Sequence, residues 1–137
     1  FAPDVRFIAA EASLLLNEYA DAEQQYRAFL KASPNHANAP QARVRLGLAL
    51  QLAGKNADAI AVLEAVQAEL KDPTLKSEAL AVLGRSQAAQ SQLDKAVQSF
   101  ESSLKTKPDR EQSDQTLLAL AETYRKLSEA GKLDAAE

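Results

Sequence analysis

The sequence predicts an all-α fold built from tandem antiparallel helix pairs, and three observations predict it. Ala, Leu, Gln, Glu and Lys dominate the 137 residues while aromatics make up only 5%, a composition of strong helix formers. Laying Tyr26–Pro34 over Phe100–Pro108 reveals an internal repeat 74 residues apart, and half of that, 37, brings small residues into columns along the chain. In that frame all four glycines and all five prolines fall where helix pairs tolerate or require them.

One column holds Ala10, Gly47, Gly84 and Ala121, and a second, twelve residues on, holds Ala22, Ala59 and Ala96. A third holds Tyr26, Leu63 and Phe100. Paired helices approach most closely where only Gly or Ala stands, and the large residue one turn later fills the space beside that contact. First helices are therefore expected near 3–17, 39–53, 74–90 and 111–129. Second helices are expected near 20–32, 57–70 and 93–105, with another beginning at Leu133. Pro3 and Pro40 open first helices, where a missing N–H costs little, and Asn38 and Asp72 are the expected N-caps. Gly54 and Gly131 read as turns within a pair, and Pro34, Pro73 and Pro108 as connections between pairs. Two-residue alternation is not sustained anywhere, so strands are not expected.

These columns resemble the tetratricopeptide repeat (TPR) family, whose pattern is a small residue in the first helix, an Ala and an aromatic or Leu in the second, and a Pro near the repeat end. The resemblance implies an α-solenoid, a right-handed superhelix of about three and a half repeats. They would span approximately 3–39, 40–76, 77–113 and an incomplete 114–137 within a single domain over 1–137. Arg6, Arg43 and Leu80 stand where the family commonly has an aromatic. A 37-residue spacing with Pro34-Asn-His-Ala-Asn-Ala-Pro40 leading into Leu46-Gly47 resembles the variant of bacterial cell-envelope proteins, which favours a periplasmic setting over the cytoplasm. A generic repeat with lengthened connections would read the same way. Because the chain opens at Phe1 and ends at Glu137, one turn into the expected last helix, it reads as part of a longer protein or as one whose open end pairs with another copy.

Chemistry is bounded tightly by composition. Without cysteine there is no disulfide, thiolate ligand or thiol nucleophile. His36, the single histidine, would have to serve a catalytic relay or metal site alone, and it reads as a solvated loop residue. Acids are spread singly along helices, so no metal or other cofactor is expected. Gly47 to Lys55 fails as a phosphate loop, since six residues separate Gly47 from Gly54 where four are required. A net charge of −3 with interspersed signs argues against nucleic acid, and Lys105, Lys107 and Arg110 read as surface solvation, as do Arg125 and Lys126. The longest aliphatic run, Leu14 to Leu16, is far short of the roughly 20 residues that span a bilayer.

The expected function is thus that of a non-enzymatic scaffold binding a protein or peptide. By resemblance the first helices line the concave face, placing there Phe7, Glu11, Leu14, Leu15, Val44, Leu48, Gln51, Leu52, Arg85, Leu118, Glu122 and Arg125. The apolar members would take an apolar or amphipathic segment, with Glu11, Arg85 and Arg125 orienting it. Several of these side chains could equally pack repeat against repeat. The family's clamp for chaperone C-terminal carboxylates would need Lys and Asn where Phe7, Glu11, Arg45, Glu78 and Val82 stand, and only Arg45 approximates it. Self-assembly through the terminal helix, or service as an accessory domain of a larger enzyme or regulator, are the alternatives.

Overall fold

Seven α-helices and no strand form among the described residues: α1 (Pro3–Leu15), α2 (Tyr19–Ala32), α3 (Ala39–Leu52), α4 (Asn56–Gln67), α5 (Pro73–Ala89), α6 (Leu93–Thr106) and α7 (Ser113–Ala136). The structure is a computed structural model that describes the backbone of residues 3–136 and the side chains of residues 5–131. Helices α1/α2, α3/α4 and α5/α6 pair, each pair packs on the next through α2–α3, α4–α5 and α6–α7, and α3 also touches α5.

The small columns are where the paired helices meet. A Cβ on Gly47 would stand 2.5 Å from Cδ2 of Leu63, and one on Gly84 2.6 Å from Cε1 of Phe100. Ala10, Ala22, Ala59 and Ala96 are completely buried, and the large residues Tyr26, Leu63 and Phe100 essentially so. A polar contact also recurs across two of the pairs. Ser13 Oγ donates to Gln25 Oε1 at 2.9 Å, and 74 residues later Ser99 Oγ donates to Gln87 Oε1 at 2.6 Å, with the residue types exchanged between helices. The middle pair carries Leu50 and Val62 at these positions and makes an apolar contact instead.

One turn geometry closes all three pairs. Glu18, Lys55 and Gln92 each donate a backbone N–H to the carbonyl five residues earlier, at 2.8–2.9 Å, and Asn17, Gly54 and Ser91 each donate to the one three earlier. This is the Schellman motif, whose pivot residue needs a left-handed conformation. Asn17 (φ 62°), Gly54 (φ 82°) and Ser91 (φ 61°) supply it. Only Gly54 advertises the turn in the sequence; Ser91 adopts the conformation at a steric cost.

The connections between pairs insert side chains into the stack. Contrary to the expectation of a solvated residue, His36 is half-buried, its ring edge-on to Phe29 with centroids 5.2 Å apart and its Nδ1 accepting the Asn38 N–H at 3.0 Å. Asn38 stands at the N-cap of α3 but its side chain makes no capping bond, whereas Asp72 caps α5 by accepting the Thr74 N–H at 3.1 Å. Pro73 opens α5 rather than lying in the connection. Arg110 overturns the surface reading most clearly, being only 8% exposed. Its Nε donates to Ser77 Oγ at 3.0 Å and its Nη2 to Thr116 Oγ1 at 2.8 Å, while Ser77 and Ser103 exchange hydroxyl-to-carbonyl bonds of 2.8 and 2.7 Å. The column that holds Phe29 and Val66 has shrunk to Ser103, which bonds the same Ser77 that Arg110 contacts.

Helix α7 departs from expectation. No turn forms near Gly131 and no new helix begins at Leu133; one helix runs to Ala136. In register with Asn17, Gly54 and Ser91 the turn would pivot at Ser128, but an Arg125–Glu129 pair at 2.7 Å spans that position one helical turn apart. Gly131 costs about 1 kcal/mol within a helix, too little alone to end one. Ala121, the fourth member of the small column, is consequently exposed.

Two outcomes check this packing. Gly84→Val and Ala59→Leu should each destabilise by about 1–3 kcal/mol through overpacking, lowering the midpoint of thermal denaturation; unchanged melting in both would refute the close-contact columns. Ser91→Gly, which relieves the left-handed strain, should instead raise stability by about 0.5–1 kcal/mol, and denaturant titration would show it as a higher midpoint at constant slope.

Candidate functional site

The first-helix residues expected on the inner row divide into buried supports and an exposed surface. Val44 is fully enclosed and Phe7 nearly so, with Phe7 5.5 Å from the Phe29 ring, so both act from within the core rather than presenting surface. Leu14 and Leu48 are partly buried against that core. Leu15, Leu52 and Leu118 are open to solvent at 84%, 42% and 69% exposure. Gln51 is half-buried, and its Oε1 is enclosed without a hydrogen-bond partner. Glu122 and Arg125 are exposed and pair with each other at 3.7 Å.

A chain of polar contacts crosses three helix pairs along this row. The Tyr26 hydroxyl donates to Glu11, Glu11 Oε2 accepts from Arg45 Nη1 at 2.8 Å, and Arg45 Nε stands 3.3 Å from Glu78 Oε1. Burial, and then the Glu11 acceptor, push the Tyr26 hydroxyl far above its usual range, so it remains a donor. Glu11 and Glu78 together neutralise Arg45. Beside Arg45 and Glu78 lies a cavity of about 340 Å³, with Lys107, Arg110 and Gln112 on its far wall.

Arg85 differs from Arg45. It is half-buried on α5, and among the described residues no carboxylate stands within ion-pair distance of it. Burial, followed by the positive charge of Arg110, lowers its guanidinium below the usual arginine range, with Glu78 opposing. The structure thus joins Glu11 to Arg45 and Glu78 but leaves Arg85 without a direct counter-ion. The sequence reading set Arg45 and Glu78 aside as failed clamp residues. Opposite charges 34 and 33 positions apart, close to the repeat length, were the available signal.

Among the described residues no group of three or more His, Asp or Glu could hold a metal ion. No helix of the described residues is long and apolar enough to cross a membrane.

No protein-family model matches the sequence, and no curated protein matches it. Solved structures do resemble it. The TPR domain of Sgt2 from Aspergillus fumigatus superposes with a TM-score of 0.81 at 22% identity, covering 95% of this chain and 82% of that one. The MamA RS-1 ArsTM double mutant superposes with a TM-score of 0.67, also at 22% identity, covering 92% of this chain and 77% of that one. With its three Schellman-closed helix pairs and the further helix α7, the chain has the fold of a tetratricopeptide repeat domain.

Proposed function

We propose that the chain is a non-enzymatic interaction module that holds a peptide or protein segment against the inner row of first helices. The observation that carries this reading is the half-buried Arg85 without a direct counter-ion, in a row that also exposes Leu52 and Leu118. A cation already partly dehydrated gains more from a partner's carboxylate than a surface lysine does, and neighbouring leucines favour an amphipathic segment over a purely charged one. The repeat's likeness to the cell-envelope variant suggests that such a partner belongs to a bacterial envelope assembly.

A second reading rests on α7. Leu117, Ala121 and Tyr124 are exposed, and one repeat earlier the corresponding Leu80, Gly84 and Gln87 are buried. A second copy covering this face would complete the fourth pair. Sedimentation equilibrium separates the two readings, because self-assembly requires a mass that rises with concentration and falls back to the monomer in Leu117→Glu.

The leading proposal is tested by capture from native lysate. A Leu48→Glu, Leu52→Glu variant and a separate Arg85→Glu variant, each with helicity checked by circular dichroism, should lose a partner that the wild type retains. For Arg85→Glu the expected loss is about 2–5 kcal/mol of binding free energy, as for a charge pair truncated at an interface. Undiminished capture by both variants would exclude the inner row.

A further inference from the structure

On the opposite side of the third helix pair lies a cavity of about 540 Å³, bounded by α4, α5 and α6. It does not belong to the inner row. Its floor is Leu80 and Leu83 of α5, and its rim carries Lys76, Lys95 and Lys105. None of the three lysines makes an ion pair among the described residues, and Glu64 is the one acid lining the cavity. The groove therefore holds a local excess of two positive charges on a chain whose net charge is −3.

The arrangement is peculiar to this pair. Thirty-seven residues earlier, Ala39, Asp58 and Ala68 stand in place of the three lysines, so the groove is not a by-product of the repeat. The charges are also spaced. Lys95 and Lys105 are ten residues apart on α6, roughly 15 Å along the helix. The Ser77–Ser103 contact sets the start of α5 against the end of α6, which places Lys76 at the Lys105 end. The groove thus offers two cations at one end, one at the other and leucines between.

We propose that this outer groove is a second docking surface for an acidic segment of a partner protein, with carboxylates toward both ends and apolar side chains between them. Charge complementarity selects the acidic segment, and the leucine floor selects apolar groups at its centre. A nucleic acid fits less well, because no aromatic lines the cavity to stack a base and three lysines neutralise few phosphates.

The probe is a fluorescein-labelled peptide of about ten residues, the length whose helix spans the groove, with glutamates toward both ends and leucines at the centre. It is titrated against the full chain by fluorescence anisotropy, beside a version with lysines for the glutamates and a poly-dT oligonucleotide. The acidic peptide should bind in a salt-sensitive manner. Lys76→Glu, Lys95→Glu, Lys105→Glu in one chain should weaken it about tenfold or more, whereas Leu48→Glu, Leu52→Glu on the inner row should leave it unchanged. Melting curves establish that both variants are folded, and amide chemical-shift changes in the wild type should centre on α5 and α6 around Leu80 and Ser99. The proposal is overturned if the wild type does not bind the acidic peptide, if the lysine peptide or the oligonucleotide binds as well, or if only the inner-row variant abolishes binding. Because the two surfaces are read by separate variants, failure of this groove leaves the inner-row proposal standing, and the reverse also holds.

Discussion

Everything in this molecule depends on how closely the two helices of a pair can approach. At Gly47 and Gly84 the partner's large side chain occupies the space a Cβ would need, so the helices are locked at a separation that only a backbone without a side chain permits. Ala22, Ala59 and Ala96 answer from the second helices and are all completely buried. Interiors close-packed to this degree deform poorly. The position of each pair therefore fixes the next, and the lateral surfaces on which partners could act inherit their geometry from these contacts.

The turns impose the second constraint, and they show where α7 departs from the pattern. A helix pair requires a residue that tolerates a left-handed conformation between its two arms. Gly54, Asn17 and Ser91 meet that need with decreasing ease, and at the corresponding Ser128 the helix continues instead. The difference is local. Arg125 and Glu129 pair across the position, and Glu122 joins them on the same helix face. Such pairs contribute small gains that favour continuing the helix across this position.

How far the sequence disclosed this structure follows from the kind of interaction involved. Helix positions and the close contacts were legible, because sterics at Gly and Ala leave a periodic mark in one dimension. Cap and turn chemistry was legible in part: Asp72 caps as its type suggests, but Asn38 does not, because its backbone (φ −90°, ψ 3°) is not extended and Pro40 offers no N–H to a capping side chain. Long-range polar contacts were not read. Arg110 looks like a solvated cation beside Pro108, yet it is buried against Ser77, which exchanges hydrogen bonds with Ser103. For the inner row, the repeat register supplied positions but not depth, so Val44 and Leu118 looked alike although one is enclosed and the other 69% exposed.

Charge distribution gives the two lateral faces different characters. Along the inner row Glu11 and Glu78 neutralise Arg45, which leaves Arg85 as the group with most to gain from an added carboxylate. On the outer side no such neutralisation occurs among the described residues, where Lys76, Lys95 and Lys105 face a groove lined by a single acid. Partly buried charges discriminate by what they leave unpaired when the wrong ligand binds, whereas exposed ones mainly steer and accelerate encounter. The inner row is accordingly suited to selectivity, and the outer groove to fast, salt-sensitive association. Both surfaces meet on α5, the helix whose Gly84 is locked against Phe100, so a rigid contact in the core sets their relative position.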